Sequence, residues 1–197
     1  MGKWHDFRIT LLVYRNYYMT PAELFHIIEF FPLVELPITF SEAAIRDISS
    51  TNKPLPANFV HHILTEWEQS IDEFTEVVPC VSLPEGEDHF AIIYWKADLL
   101  TREYVLVTLD KQDISLISRK VIAGMKTDGE RVIQSVANIE DDQIINVMAG
   151  EVSHNGLYDP MSSSAFTMEV LPGGNIYSQK EDEPLAWVEK KTSTEKK

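Results

Sequence analysis

The chain has 197 residues, of which 44% are apolar, enough for one core or two small ones. An excess of 31 acidic over 17 basic side chains leaves a formal charge of −14, which argues against a phosphate-neutralising surface and so against nucleic acid as a partner. A single cysteine, Cys80, permits no intramolecular disulfide and no cysteine-based zinc site, and each apolar stretch is cut by a charge or a proline well short of the roughly 20 residues a membrane helix needs.

The first apolar run, Ile9 to Tyr14, is bracketed by Arg8 and Arg15 and reads as core rather than as a secretory leader. Met1-Gly2 is followed by Asp6 where a myristoylation signal asks for Ser or Thr, so a cytoplasmic location is expected. Phe7, Ile9, Leu11 and Val13 alternate as in a strand, and the segment Phe7 to Tyr14 is read that way although a helix also fits.

Thr20-Pro21-Ala22-Glu23 then carries the marks of a helix start: a threonine cap, a proline suited to the first turn, and a glutamate that closes a capping box. Leu24, Ile27, Ile28 and Phe31 form its apolar stripe, and Pro32 ends it. Ser41 is expected to cap a second helix, Glu42 to about Ser49. A third, about Ala57 to Glu73, has the strongest period in the chain, with Val60, Ile63, Leu64, Trp67, Ile71 and Phe74 on one face. Its other face carries His61, His62, Glu66, Glu68, Gln69, Asp72 and Glu73.

From Val77 the pattern changes to β-rich runs at 77–83, 90–97, 103–109, 114–123, 131–139, 143–152, 165–171 and 175–178. Polar turns such as Pro84 to Glu87, Asp110 to Asp113, Glu140 to Asp142 and Pro172 to Gly174 separate them, which predicts an antiparallel meander rather than βαβ units. Runs 90–97 and 103–109 are apolar on both faces and must be covered on both, whereas 165–171 alternates Phe166, Met168 and Val170 with Thr167 and Glu169. The predicted fold is therefore α+β. A mainly helical part, 1–76, covers one face of a curved or barrel-like meander, 77–178, whose other face closes by curling on itself; an acidic and lysine-rich tail, 179–197, follows.

Candidate chemistry is sparse. His62 and Glu66 lie one helical turn apart but lack further metal ligands, so no metal is expected. Glu85, Glu87, Asp88 and His89 share one turn and Glu140, Asp141 and Asp142 another, without calcium-loop spacing; they read as turn caps and edge guards. Cys80, between Pro79 and Val81, reads as a small buried hydrophobe. No phosphate-cradling glycine motif or nucleophile elbow occurs, and no cofactor is called for.

Three readings of function follow. The first is a non-catalytic interaction or regulatory module that attracts a basic protein through Glu66, Glu68, Asp72, Glu73 and Glu76. The second is a carrier or sensor of a small apolar ligand, with Tyr94, Trp95, Tyr104 and His154 placed to line a site, beside Phe90 and Phe166. The third is a hydrolase-like enzyme near His154, which precedes the turn pair Asn155-Gly156 and a loop containing Tyr158 and Asp159.

Overall fold

The computed structural model describes residues 19–68, 74–84, 86–129, 131–153, 159 and 161–180; the strand expected at Phe7 to Tyr14, His154 and the tail beyond Lys180 lie outside them. No helix among the described residues is long and apolar enough to cross a membrane.

The capping box forms as its sequence dictates. In α1 (Pro21–Phe25) the Thr20 hydroxyl accepts from the Glu23 amide, and the Glu23 carboxylate accepts from the Thr20 amide. The helix is shorter than its stripe predicts. After a turn the chain continues as one 3-10 turn, Ile28–Phe30, and Phe31 is already extended at φ −109° and ψ 97°, the conformation imposed on a residue before proline. The second helix, α2 (Ala44–Thr51), starts two residues later than expected. The Ser41 side chain caps nothing there; its carbonyl accepts from the Ala44 amide instead.

The third helix begins at α3 (Ala57–His62) and widens into a π-helical turn, Ile63–Trp67, closed by the Glu68 amide donating to the Ile63 carbonyl. One extra residue in that turn sets back every later side chain by roughly 100°, the rotation per residue of an α-helix. Residues 69–73 lie outside the described residues.

The eight expected strands are all present. They are β2 (Glu76–Ser82), β3 (His89–Ala97), β4 (Thr101–Asp110), β5 (Leu116–Asp128), β6 (Arg131–Ile139), β7 (Ile145–Val152), β8 (Ser164–Val170) and β9 (Ile176–Lys180). Each pairs antiparallel with the next, so the sheet is a meander in sequence order and does not close into a barrel. A ninth strand, β1 (Ile38–Phe40), was not expected: it lies in the helical part and joins β6 with Phe40 opposite Ala137. It occupies the end of β6 that β5 leaves free, because β5 pairs with β6 only from Arg131 to Ser135.

This departure of β5 bends the sheet. Against β4, β5 shifts register twice, between Val121 and Ala123 and between Leu116 and Ser118, and such bulges increase local twist. At Gly124, φ is +143° and an added Cβ would lie 2.0 Å from the Arg102 carbonyl oxygen, so β4 and β5 can approach this closely only with glycine there. The curled sheet acquires two cores. On its outer face Ile92, Tyr94, Val105, Val107 and Leu109 pack under Leu24, Ile27, Phe31, Phe59, Ile63 and Trp67 of the helices. On its inner face Ile93, Tyr104 and Leu106 meet Ile122, Ile139, Ile145, Val147 and Met168 from the other half, with Phe40 of β1 between. Both faces of β3 and β4 are thus buried, and the sheet folds over itself as the apolar pattern requires. Phe166, Met168 and Val170 also face that inner core, while Glu169 is exposed.

Candidate functional site

The helix–sheet contact contains one buried charge cluster. Glu68, whose side chain is 2% exposed, accepts from Arg119 Nε at 2.6 Å and Arg119 Nη2 at 2.7 Å, from Lys96 Nζ at 2.7 Å, and from the Tyr94 hydroxyl. Lys96 also reaches Glu103 at 3.5 Å. Burial alone would raise the Glu68 carboxyl, but the hydrogen bonds and charge of Arg119, with Lys96 and Tyr94, outweigh it and hold the group below the usual carboxylate range. The π-helical turn is what brings Glu68 here, since it rotates the residue from the helix flank toward the sheet. Glu68 is therefore compensated, and it fastens the third helix to β3 and β5. Its acidic neighbours are disposed differently: Glu66 and Glu76 are exposed, and Asp72 and Glu73 lie outside the described residues.

The aromatic candidates do not converge. Tyr94 is fully buried on the helix-covered face with its hydroxyl given to Glu68, and burial, followed by the Glu68 charge, pushes that hydroxyl's pKa far up. Trp95 and Tyr104 are cross-strand neighbours on the opposite face, where the Tyr104 hydroxyl donates to the Ser41 carbonyl at 3.0 Å. The sheet thus separates Tyr94 from the other two by its own thickness. Cys80 is fully buried in the inner core, and burial raises its thiol pKa. Asp159, paired with His154 in the hydrolase reading, organises a turn: its carboxylate accepts from the Met161 amide and its carbonyl from Ser162 and Ser163.

A recess does form where sequence reasoning saw only separate turns. In a meander alternate turns lie at the same end of the sheet, so the β2–β3, β4–β5, β6–β7 and β8–β9 connections gather together. Between the first, third and fourth of these lies a cleft of about 550 Å³. Its charged lining among the described residues is Glu87 and Asp88 from the first connection, Asp142 from the third, and Glu169 near the end of β8, with no lysine or arginine among those residues. Gln143, held at φ +65°, and Leu171 to Gly173 complete the rim.

His89, the first residue of β3, forms part of the wall and is 7% exposed. A Cβ on Gly86 would lie 2.3 Å from His89 Cε1, so the imidazole rests directly on the glycine backbone. Its Nδ1 is buried and has no hydrogen-bond partner. Burial, reinforced by the Lys111 charge and opposed by Asp88, lowers the His89 pKa and favours the neutral ring. Lys111 itself sits over the Phe90 ring, 5.2 Å from its centre. The signal for this arrangement was present in the sequence as two acidic turns, each local in appearance; only the order of the strands says that they face one another.

Among the described residues no three His, Cys, Asp or Glu side chains converge so as to hold a metal ion. Compared with known proteins, the chain matches no family model, no curated protein and no solved structure.

Proposed function

We propose that the protein is a non-catalytic interaction module that binds a basic protein partner through the acidic end of its sheet. The observation that carries this reading is the gathering of Glu87, Asp88, Asp113, Asp141, Asp142 and Glu169 at one end of the meander, against Lys111 as the lysine of the same turns. A surface of one sign focuses its field outward, steers a partner of the opposite sign during encounter and weakens with salt. The excess of 14 negative charges over the whole chain acts in the same direction. Glu66 in the third helix and Glu76 at the start of β2, away from that end, are exposed as well and add to the acidic surface.

The test is calorimetric titration of the full chain with an arginine- and lysine-rich peptide of about ten residues at low and high salt. Micromolar binding at low salt is expected, weakened at least ~10-fold over one decade of salt, because several exposed charge pairs are screened together. The combined variant Glu87→Gln, Asp88→Asn, Asp141→Asn and Glu169→Gln should abolish it. A peptide that does not bind at low salt, or that binds this variant as well as the wild type, defeats the proposal.

A further inference from the structure

The open edges of the sheet are not equally protected. At β2, Pro79 lies within the strand and a bulge separates it from Val81. The Asn52 side-chain amide donates to the Pro79 and Cys80 carbonyls there, and the Pro32 carbonyl and Val34 amide pair with Ser82. Along β5 from Leu116 to Ala123, which β6 does not reach, Lys120 stands opposite the inner-core residue Leu106 and yet is exposed; a charge on the inward side of a strand keeps a further strand away. β9 has no such device. Ile176, Tyr177, Ser178 and Gln179 include neither a charge nor a proline, and Lys180 is the last residue of the strand. Among the described residues no strand pairs with the edge of β9 that faces away from β8.

We infer that the protein self-associates through this edge, β9 pairing antiparallel with the β9 of a second copy about a two-fold axis at Ser178.

The direction of the backbone groups supports that register. The Leu171 amide donates to the Asn175 carbonyl, across the β8–β9 pair, whereas the Ile176 amide donates away from β8, to the Ser118 hydroxyl at 3.3 Å. Backbone groups alternate in direction along an antiparallel strand, so Tyr177 and Gln179 bond to β8, while the amide and carbonyl of Ser178 and of Lys180 point outward with the Ile176 carbonyl. An axis at Ser178 overlaps the whole of both strands. Each Ser178 amide then donates to the other copy's Ser178 carbonyl, and each Lys180 amide to the other copy's Ile176 carbonyl. On the outer face Tyr177, 54% exposed in the single chain, comes to lie directly opposite the other copy's Gln179.

Symmetry and charge point to a second copy as the occupant. An antiparallel edge is its own complement under a two-fold axis, so no different partner is needed. Copies with a formal charge of −14 repel each other, but the row Asn138, Asn146, Thr167 and Gln179 that crosses the outer face to this edge is uncharged. β9 also starts at the acidic end of the sheet. Antiparallel pairing therefore directs the acidic ends of the two copies away from each other, where parallel pairing would set them side by side.

The experiment is sedimentation of the full chain between ~1 and ~200 µM, joined to residue-resolved amide hydrogen exchange at both limits. A reversible monomer–dimer equilibrium in the micromolar range is expected, as for an interface below the standard size. The Ser178 and Lys180 amides should be more protected at the higher concentration, and the Tyr177 and Gln179 amides protected at both. Ser178→Pro removes an amide that β8 does not use, and Tyr177→Lys places a charge at the edge; each should weaken the dimer at least ~10-fold with an unchanged circular dichroism spectrum. If Ser178→Pro does not fold, Tyr177→Lys decides alone, since that side chain is exposed. A chain that stays monomeric up to ~200 µM overturns the proposal, as does a dimer that Tyr177→Lys forms as tightly as the wild type. Ser178 protection that is the same at both concentrations in a monomer means that another segment of the same chain covers the edge, and the proposal falls.

Discussion

Replacing Glu68 by alanine should destabilise the protein more than any exposed carboxylate change. The side chain is 2% exposed and satisfies donors on Arg119, Lys96 and Tyr94, which are left behind when it is removed. Breaking a buried ion pair by deleting one partner costs about 3–5 kcal/mol, chiefly because the remaining charge is uncompensated. Two features place Glu68→Ala near the lower end. Arg119 keeps 27% of its side-chain exposure, and Lys96 retains Glu103 at 3.5 Å. A loss of about 3 kcal/mol is therefore expected. Glu68→Gln keeps one acceptor oxygen and should lose about half of that, in line with a hydrogen bond to a charged group. Urea unfolding followed by tryptophan fluorescence reads both values, since Trp67 packs in the adjoining core and its ring lies 6.1 Å from that of Tyr94.

The pH dependence supplies a second, independent signature of the same cluster. The Glu68 carboxyl is held below its ordinary value in the folded state, so its stabilisation is complete above the unfolded value of about 4.3 and is lost as pH falls through the lowered folded value. Glu68→Gln should remove that part of the acid limb while leaving the rest. A Glu68→Ala variant that unfolds within about 1 kcal/mol of the wild type, with an unchanged acid limb, would refute the argument that this cluster fastens helix to sheet.

Further outcomes follow from other parts of the fold. Gly124→Ala combines a positive φ with a Cβ placed against a backbone oxygen and should cost well over ~2 kcal/mol by chemical denaturation, whereas Gly129→Ala, at φ +61° with open space around it, should cost only the conformational ~1–2 kcal/mol. Cys80 should resist thiol labelling in the native state and react only at the rate of unfolding, as its complete burial and raised pKa require; rapid native labelling would contradict the packing. His89 should titrate below the usual histidine midpoint of about 6.5 in a proton magnetic resonance pH series. Because the unfolded ring binds its proton first, that group's contribution to stability is present above about 6.5 and is lost as pH falls toward the lowered folded value.

The strands were largely legible because each had its own apolar run and a turn chemistry to end it, as Asp110 to Asp113 and Pro172 to Gly174 illustrate. The two-sided burial of β3 and β4 was legible too, since Ile92 and Ile93 or Tyr104 and Val105 are apolar in succession and no half-solvated strand tolerates that. What escaped were features with no local period. Three residues of β1 are too few to alternate, and their pairing with β6 is decided by where β5 departs. The stretch of β5 beyond Ala123 was hidden by Gly124, which reads as a breaker unless the close approach of β4 is known. Glu68 read as part of a polar flank because an α-helical wheel has no place for a π turn. The cleft escaped for a further reason: its carboxylates come from three separate stretches of chain, and each looked adequately explained locally, Glu87, Asp88 and Asp142 as turn caps and Glu169 as the polar face of its strand.

The meander also restricts how this chain can change length. Whether a turn sits at one pole or the other is a question of parity, so losing or gaining a single strand would carry every later turn to the far pole. Removing β4 alone, for example, would part Asp142 and Glu169 from Glu87 and Asp88 and scatter the charge between both poles. Strands can be added or lost here only in pairs if the negative pole is to survive, which makes the hairpin, not the strand, the unit by which such a molecule can be lengthened or trimmed.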